Sequence, residues 1–213
     1  MNYVYRYDLI NEVIHHFGFK NYLEIGVSDP KECFDNVICD NKMGVDPGLE
    51  FPDNPVKYKM TSDDFFWALR SGNLDLDPGF RWDVIFIDGL HISTQVLRDV
   101  ENSLYHLNPN GFVFLHDCNP QSYFMQREDY YINGYQEPWN GTVWKVIYYL
   151  RCHSKNLEIQ TIDTDWGVGV IRRGQMPIIS FDNPFYEYNQ MSVNRGRDLG
   201  LISVEEFRKY YRS

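Results

Sequence analysis

The sequence predicts an α/β fold on a mostly parallel sheet, and three observations carry that prediction. Helical and extended segments alternate along the 213 residues. Two extended segments, "WDVIFIDG" at 82–89 and "FVFLHD" at 112–117, are continuous apolar runs of the kind covered on both faces. The last two, "NLEIQTID" and "WGVGVIRR", are joined by a turn at Thr164-Asp165, as expected of an antiparallel pair.

The elements follow in order. Residues 7–17, "YDLINEVIHHF", place Leu9, Ile10, Val13, Ile14 and Phe17 on one helical face. "NYLEIGV" is the first strand, and Asp29-Pro30 reads as the start of a helix, with an N-cap carboxylate and a proline at the first helical position. "KMGVDP" at 42–47 and "VKYKM" at 56–60 read as two short strands, and "SDDFFWALR" as a helix. After the strand at 82–89, "STQVLRDVENSLYHL" aligns Val96, Val100, Leu104 and Leu107, with Ser93 or Thr94 as its cap. "NPNG" turns the chain into 112–117. Residues 118–141 show no periodicity and form a long loop rich in Tyr, Asn, Pro and Gly, of a length that is usually either functional or disordered. "TVWKVIYYLR" resumes as a helix, and a final helix begins at Ser203, whose spacing to Glu206 is that of a capping box.

Composition excludes several classes of function. A formal charge of −10 and a pI near 5.0 argue against a grip on nucleic acid. No run of 18 apolar residues offers a membrane span, and the N-terminus lacks a basic head followed by an apolar stretch, so a cytoplasmic protein is expected. Cys33, Cys39, Cys118 and Cys152 show no C-x-x-C spacing and read as reduced thiols, and without a secretion signal the sequon at Asn140 carries no weight.

The turn after the first strand, "YLEIGVSDPKECF", begins like a dinucleotide fingerprint and then departs from it: Ser28, Asp29 and Pro30 stand where further glycines belong. The carboxylates of Asp29 and Glu32 would repel a pyrophosphate. Gly26 still permits close backbone approach, and Asp46 ends the second strand where a carboxylate can accept ribose hydroxyls. A nucleoside without phosphates and with cationic character fits, as in S-adenosylmethionine.

Taken together, "YLEIGV", "GVDPG", "MTSDDFF", "DVIFIDGLH", "LNPNGFVFLHDCNP" and "DTDWGVGVIRR" resemble, in order and spacing, the class I S-adenosylmethionine-dependent methyltransferases, and most closely a small bacterial group associated with sugar and natural-product O-methylation. The resemblance covers about residues 7–173. It implies a single Rossmann-like doubly wound domain with a mostly parallel seven-stranded sheet and an antiparallel last strand, residues 174–213 being a C-terminal extension packed on the same domain. It carries Glu24 and Gly26 to the methionine end of the cofactor, Asp46 to the ribose and Ser62 or Asp63 to the adenine, with Asp88 also near the cofactor.

Asp88 and Asp117 both end buried strands; on neighbouring strands about 4.8 Å apart, one cation could bridge them. His91 and His116 join them. The resemblance implies metal-binding acids at Asp88 and Asp117 for Mg2+ or another divalent cation, and a base at His91; Asp88 and His116 complete the candidate catalytic set. The amide that often finishes such a metal site is replaced here by Cys118. Tyr123, Tyr130, Tyr131, Tyr135 and Trp139 in the loop suit a sugar or phenolic acceptor, or else pack the loop onto the domain or a second copy in a homo-oligomer. The expected function is O-methylation of a small acceptor; the alternatives are an inactive S-adenosylmethionine-binding partner module and a dinucleotide-dependent oxidoreductase.

Overall fold

A computed structural model describes residues 3–51, 53–131 and 138–211. Helix α1 (Arg6–Phe17) buries Leu9, Ile10, Val13 and Ile14 and ends at Gly18, whose left-handed backbone (φ 65°) closes the helix. Strand β1 (Asn21–Ile25) follows, then β2 (Asn41–Val45), helix α2 (Ser62–Arg70), β3 (Trp82–Ile87), α3 (Ser93–Tyr105), β4 (Leu107–Leu115), α4 (Trp144–His153), β5 (Leu157–Ile162) and β6 (Val168–Arg173). Short helices α5 (Tyr188–Val193) and α6 (Arg195–Asp198), the two-residue strand β7 (Leu201–Ile202) and helix α7 (Val204–Tyr211) end the described chain.

The seven strands form one sheet in the order β2-β1-β3-β4-β6-β5-β7. β2, β1, β3 and β4 run parallel, β6 is antiparallel to both β4 and β5, and β7 pairs parallel with β5 at the edge. The predicted mostly parallel sheet is therefore present, with β6 as its antiparallel member. One face buries Leu23, Ile85, Val113 and Ile171 against α2, α3 and α4; the other buries Tyr22, Val84, Phe86 and Phe114 against α1 and α7. Those alternating residues of β1, β3 and β4 explain why their sequences read as continuous apolar runs.

Three local expectations change. Residues 29–36 make turns and one 3-10 turn (Phe34–Asn36) rather than an α-helix. Asp29 does accept from the Lys31 amide at 3.1 Å, but this closes a local Asx turn, and no apolar periodicity extends it. The expected strand at 56–60 reduces to a single bridge, Tyr58 to Val45. α3 has no side-chain cap of its own; the Ser93 amide instead donates to Thr142 Oγ1 at 2.7 Å, across the fold. The capping box at Ser203 and Glu206 is present. Residues 174–211 pack onto both faces, Met191 and Leu199 on one and Phe207 and Tyr211 on the other.

Candidate functional site

The strand order reverses at β1, and the carboxyl ends of β1, β2, β3 and β4 open on the same edge, where ligands of open α/β sheets bind. Two connected cavities lie there. The smaller, about 280 Å3, is walled by Gly26, Ser28, Asp46, Met60, Thr61, Ser62 and Leu90; the larger, about 1010 Å3, by Glu24, Asp88, His91, His116, Asp117 and the aromatic rings of Tyr5, Tyr7, Tyr130, Tyr131, Trp139 and Trp166. Gly26, Ser28, Asp88, Gly89 and Trp139 border both.

Gly26 sits at φ 82°, and a Cβ there would fall 2.3 Å from the Gly89 Cα, so the β1 and β3 ends meet backbone to backbone. The turn beyond is pinned rather than collapsed: the Ser28 amide donates to Asp46 Oδ2 at 2.9 Å, Asn54 Nδ2 donates to the Ser28 carbonyl at 2.8 Å, and the Gly48 amide donates to Asp46 Oδ1 at 2.6 Å. Asp46 thus braces two loops with one lone pair on each oxygen and keeps the others for a ligand. Ser62 lines the small cavity. Asp63 turns outward to Arg98, 3.3 Å away. Behind Ser62, buried Asp99 accepts from Gln95 Nε2 at 3.0 Å. Glu24 is buried, with the Tyr22 hydroxyl donating to it; burial outweighs that bond and pushes its carboxyl up to about 8.

The second group is denser. Ile87 of β3 stands beside Leu115 of β4, so Asp88, His116 and Asp117 emerge together. His116 Nδ1 lies 3.2 Å from Asp88 Oδ1 and 3.3 Å from Asp117 Oδ2. His91 Nε2 donates to Asp88 Oδ1 at 3.2 Å, while its Nδ1 faces Asp117 Oδ2 at 3.2 Å without making a hydrogen bond. The His91 ring stacks on Trp139 at 4.7 Å between centroids. Burial opposes charge on Asp88, yet His116, His91 and Arg6 hold it well below the ordinary carboxylate value; burial likewise disfavours imidazolium at His91 and His116, and the surrounding carboxylates raise both.

Sequence reading brings Asp88, His91, His116 and Asp117 to one place, as expected, but it misses three partners. Arg6, from α1, reaches Asp165 at 3.1 Å and Asp88 at 3.7 Å. Asp165, in the β5–β6 turn at φ 44°, faces His116 Nε2 at 3.7 Å. Asn140 Nδ2 donates to Asp117 Oδ1 at 2.7 Å. A turn residue and an isolated arginine leave no periodic signature; only Asp165's position at the site edge of the antiparallel pair could have pointed to it. Of the loop aromatics, Tyr130, Tyr131 and Trp139 wall the cleft, Tyr123 packs edge-on against Tyr188, and Tyr135 lies outside the described residues. Cys118 is buried and turned inward, its Sγ on the carbonyls of Leu115 and His116 at 3.7 and 3.5 Å.

The oxygens of Asp88 and Asp117 suit a divalent cation, and the small cavity, with the Asp46 carboxylate in its wall and no phosphate-binding glycine turn, suits a nucleoside cofactor. Residues 33–118 match the model of a methyltransferase domain. No curated protein matches the chain. Among solved structures, the S-adenosylhomocysteine-bound methyltransferase PaMTH1 of Podospora anserina is 14% identical, with 80% of this chain and 78% of that one covered and a TM-score of 0.52. The O-methyltransferase TomG of Streptomyces achromogenes, solved with S-adenosylmethionine, is 12% identical over 79% of each chain at a TM-score of 0.49. An O-methyltransferase of Bacillus cereus, solved with S-adenosylhomocysteine, is 11% identical over 79% and 80% at the same score. No helix among the described residues is long and apolar enough to cross a membrane. The domain match spans β2 to β4, and the sheet follows a methyltransferase fold.

Proposed function

We propose that the protein transfers a methyl group from S-adenosylmethionine to a hydroxyl of a small acceptor such as a sugar or a phenol. The observation that carries this reading is the position of His91, a half-buried imidazole in the wall of the larger cavity, hydrogen-bonded to Asp88, which borders both cavities. S-adenosylmethionine, when bound, supplies an activated methyl on a sulfonium sulfur. Asp46 would hold its ribose hydroxyls, Ser62 and the apolar walls of Met60 and Leu90 its adenine, and Glu24 and Gly26 its methionine end.

Asp88 holds the His91 ring by accepting from Nε2–H. His91 would take the acceptor's hydroxyl proton as the new C–O bond forms and the methyl–sulfur bond breaks, with Asp88 and Asp117 stabilising the imidazolium and Trp139 stacked on the ring. Asp88 and Asp117 would hold a divalent cation, whose contribution when bound is Lewis acidity toward the acceptor hydroxyl. The rings of Tyr130, Tyr131, Trp139 and Trp166 give the acceptor flat apolar faces with polar edges.

The test is transfer of a radiolabelled methyl group from S-adenosylmethionine to a panel of sugars and phenols. The reading expects a labelled O-methyl product and a loss of at least about a hundredfold in kcat for His91→Ala, within the range of general-base contributions. Tight cofactor binding with no transfer to any acceptor would instead favour an inactive S-adenosylmethionine-binding partner module.

A further inference from the structure

We propose that a third cavity, on the far side of Trp166, is a saccharide-binding subsite, and that the acceptor is a phosphate-free glycoside of at least two rings. Its reacting ring lies beside His91 and its second ring beyond Trp166. The placement of the reacting ring rests on the methyltransferase reading above; the saccharide subsite does not.

This cavity, of about 920 Å3, opens between the N-terminal residues, the β5–β6 turn and the start of α7. Trp166 stands in its wall and also in the wall of the larger site cavity, so one indole is common to both chambers. An acceptor of one ring would occupy only the chamber at His91.

The indole is held out by a turn built for it. Asp165, Trp166 and Gly167 have φ of 44°, 62° and 91°, a left-handed run that an aromatic residue rarely adopts. The run persists because it is fixed from several sides. Thr164 Oγ1 donates to the Val4 carbonyl at 2.6 Å, and the Arg6 amide donates to Asp165 Oδ2 at 2.8 Å. The carbonyls of Trp166 and Gly167 accept from the amides of Asn119 and Cys118, both at 2.9 Å. A Cβ on Gly167 would fall 2.4 Å from the Asn119 Cβ, so the turn is pressed onto the loop that follows β4. The result is an indole 43% exposed on a rigid support. Strained residues that their surroundings fix in this way cluster at ligand clamps.

The chemistry of the wall selects the ligand. A sugar ring offers an apolar C–H face and an edge of hydroxyls; Trp166 supplies the flat face, and Val4, Leu201 and Val204 an apolar floor. Asp163 and Gln121 supply the polar edge. Asp163 Oδ1 accepts from Asn119 Nδ2 at 3.1 Å, which leaves Oδ2 for a hydroxyl, and Gln121 Nε2 donates to the Asn119 carbonyl at 2.7 Å, which leaves Oε1. Asn119 is itself 2% exposed and held by Arg195, so both partners are anchored. Charge excludes phosphate. Across the two chambers Glu32, Asp88, Asp117, Asp163 and Glu205 stand with the cations Arg6, Lys31 and Arg208. Arg6 is already paired with Asp165 at 3.1 Å and Arg208 with Glu12 at 2.9 Å. A diphosphate would meet an excess of carboxylates, whereas hydroxyls or an amine would not.

The experiment titrates the full chain, with and without S-adenosylhomocysteine, and follows binding by NMR saturation transfer. The probes are methyl glucoside, methyl rhamnoside and methyl glucosaminide, the two-ring saccharides cellobiose, rutinose and chitobiose, and UDP-glucose as the phosphate-bearing control. At least one two-ring saccharide should bind about tenfold or more tightly than the methyl glycoside of its end sugar, and UDP-glucose should not bind. Asp163→Ala and Gln121→Ala, exposed and outside the reaction centre, should each reduce that preference severalfold while leaving the methyl glycosides unchanged; Trp166→Ala should abolish it. Equal binding of one-ring and two-ring probes, a preference untouched by the Asp163 and Gln121 variants, tighter binding of UDP-glucose, or no saccharide bound would overturn the proposal. The two readings fail separately. Loss of S-adenosylhomocysteine binding with the two-ring preference intact would overturn the methyltransferase reading alone, whereas cofactor binding and methyl transfer to phenols without that preference would overturn the saccharide subsite alone.

Discussion

Asp99 is the group through which the fold's electrostatics can be tested most cleanly. It sits on α3 behind Ser62, 1% exposed, accepting one hydrogen bond from Gln95. Burial is the dominant influence and raises its carboxyl from 3.8 to about 6, against the lowering effect of Ser62 and Gln95. A folded-state value above the unfolded one means that the native state holds the proton more tightly. Stability from this group is therefore complete below the unfolded value and is lost as the pH rises toward and through the folded one. Each unit is worth about 1.4 kcal/mol, so the charged form costs the fold about 3 kcal/mol at neutral pH. Asp99→Asn removes the charge while its Oδ1 still accepts from Gln95 and its amide meets the Ser62 hydroxyl. The substitution should stabilise the protein by about 3 kcal/mol at pH 8. Near pH 4, where Asp99 itself is mostly protonated, the gain should almost vanish. Urea denaturation of parent and variant between pH 4 and pH 8 measures this. A variant less stable than its parent at pH 8, or a gain independent of pH, would refute the assignment of a buried charge cost to Asp99.

Other predictions concern the site. Asp46→Ala removes the acceptor of the Ser28 and Gly48 amides as well as the proposed ribose contact, and should weaken S-adenosylmethionine binding by more than tenfold in calorimetry. Gly26→Ala places a methyl 2.3 Å from the Gly89 backbone at a left-handed φ, and should abolish cofactor binding or lower the melting temperature sharply in a thermal scan. Trp139→Ala strips the stacking surface from His91 and should reduce kcat while leaving S-adenosylhomocysteine affinity within a fewfold, read by paired kinetics and titration. Cys33 and Cys118 are buried and their thiols are pushed up by burial, so both should resist a thiol reagent in the native protein and react at once in urea.

What was legible in the sequence follows from what repeats. β1, β3 and β4 are covered on both faces, so their apolar runs announced a parallel sheet, and the acids at their ends announced the site edge. Single contacts were harder. The bridge at Tyr58 replaces a strand because one residue of 56–60 pairs with β2, which no local pattern reveals. The helix read at Asp29-Pro30 had caps but no apolar stripe to bury, and in the fold it became turns. β7 is two residues long and exists only because β5 offers it an edge. Asp88, His91, His116 and Asp117 could be read because each lies within a few residues of a strand end. Arg6 and Asp165 could not, since their site role depends on α1 and the β5–β6 turn crossing the same edge, 159 residues apart.

The central claim is that the turn at Gly26 to Asp29 and the end of β2 hold a nucleoside cofactor rather than a dinucleotide. Calorimetric titration with S-adenosylmethionine, S-adenosylhomocysteine and NAD measures it directly. The account predicts binding of the first two with one site per chain, lost in Asp46→Ala, and no heat from NAD. Binding of NAD alone, or of none of the three, would contradict it.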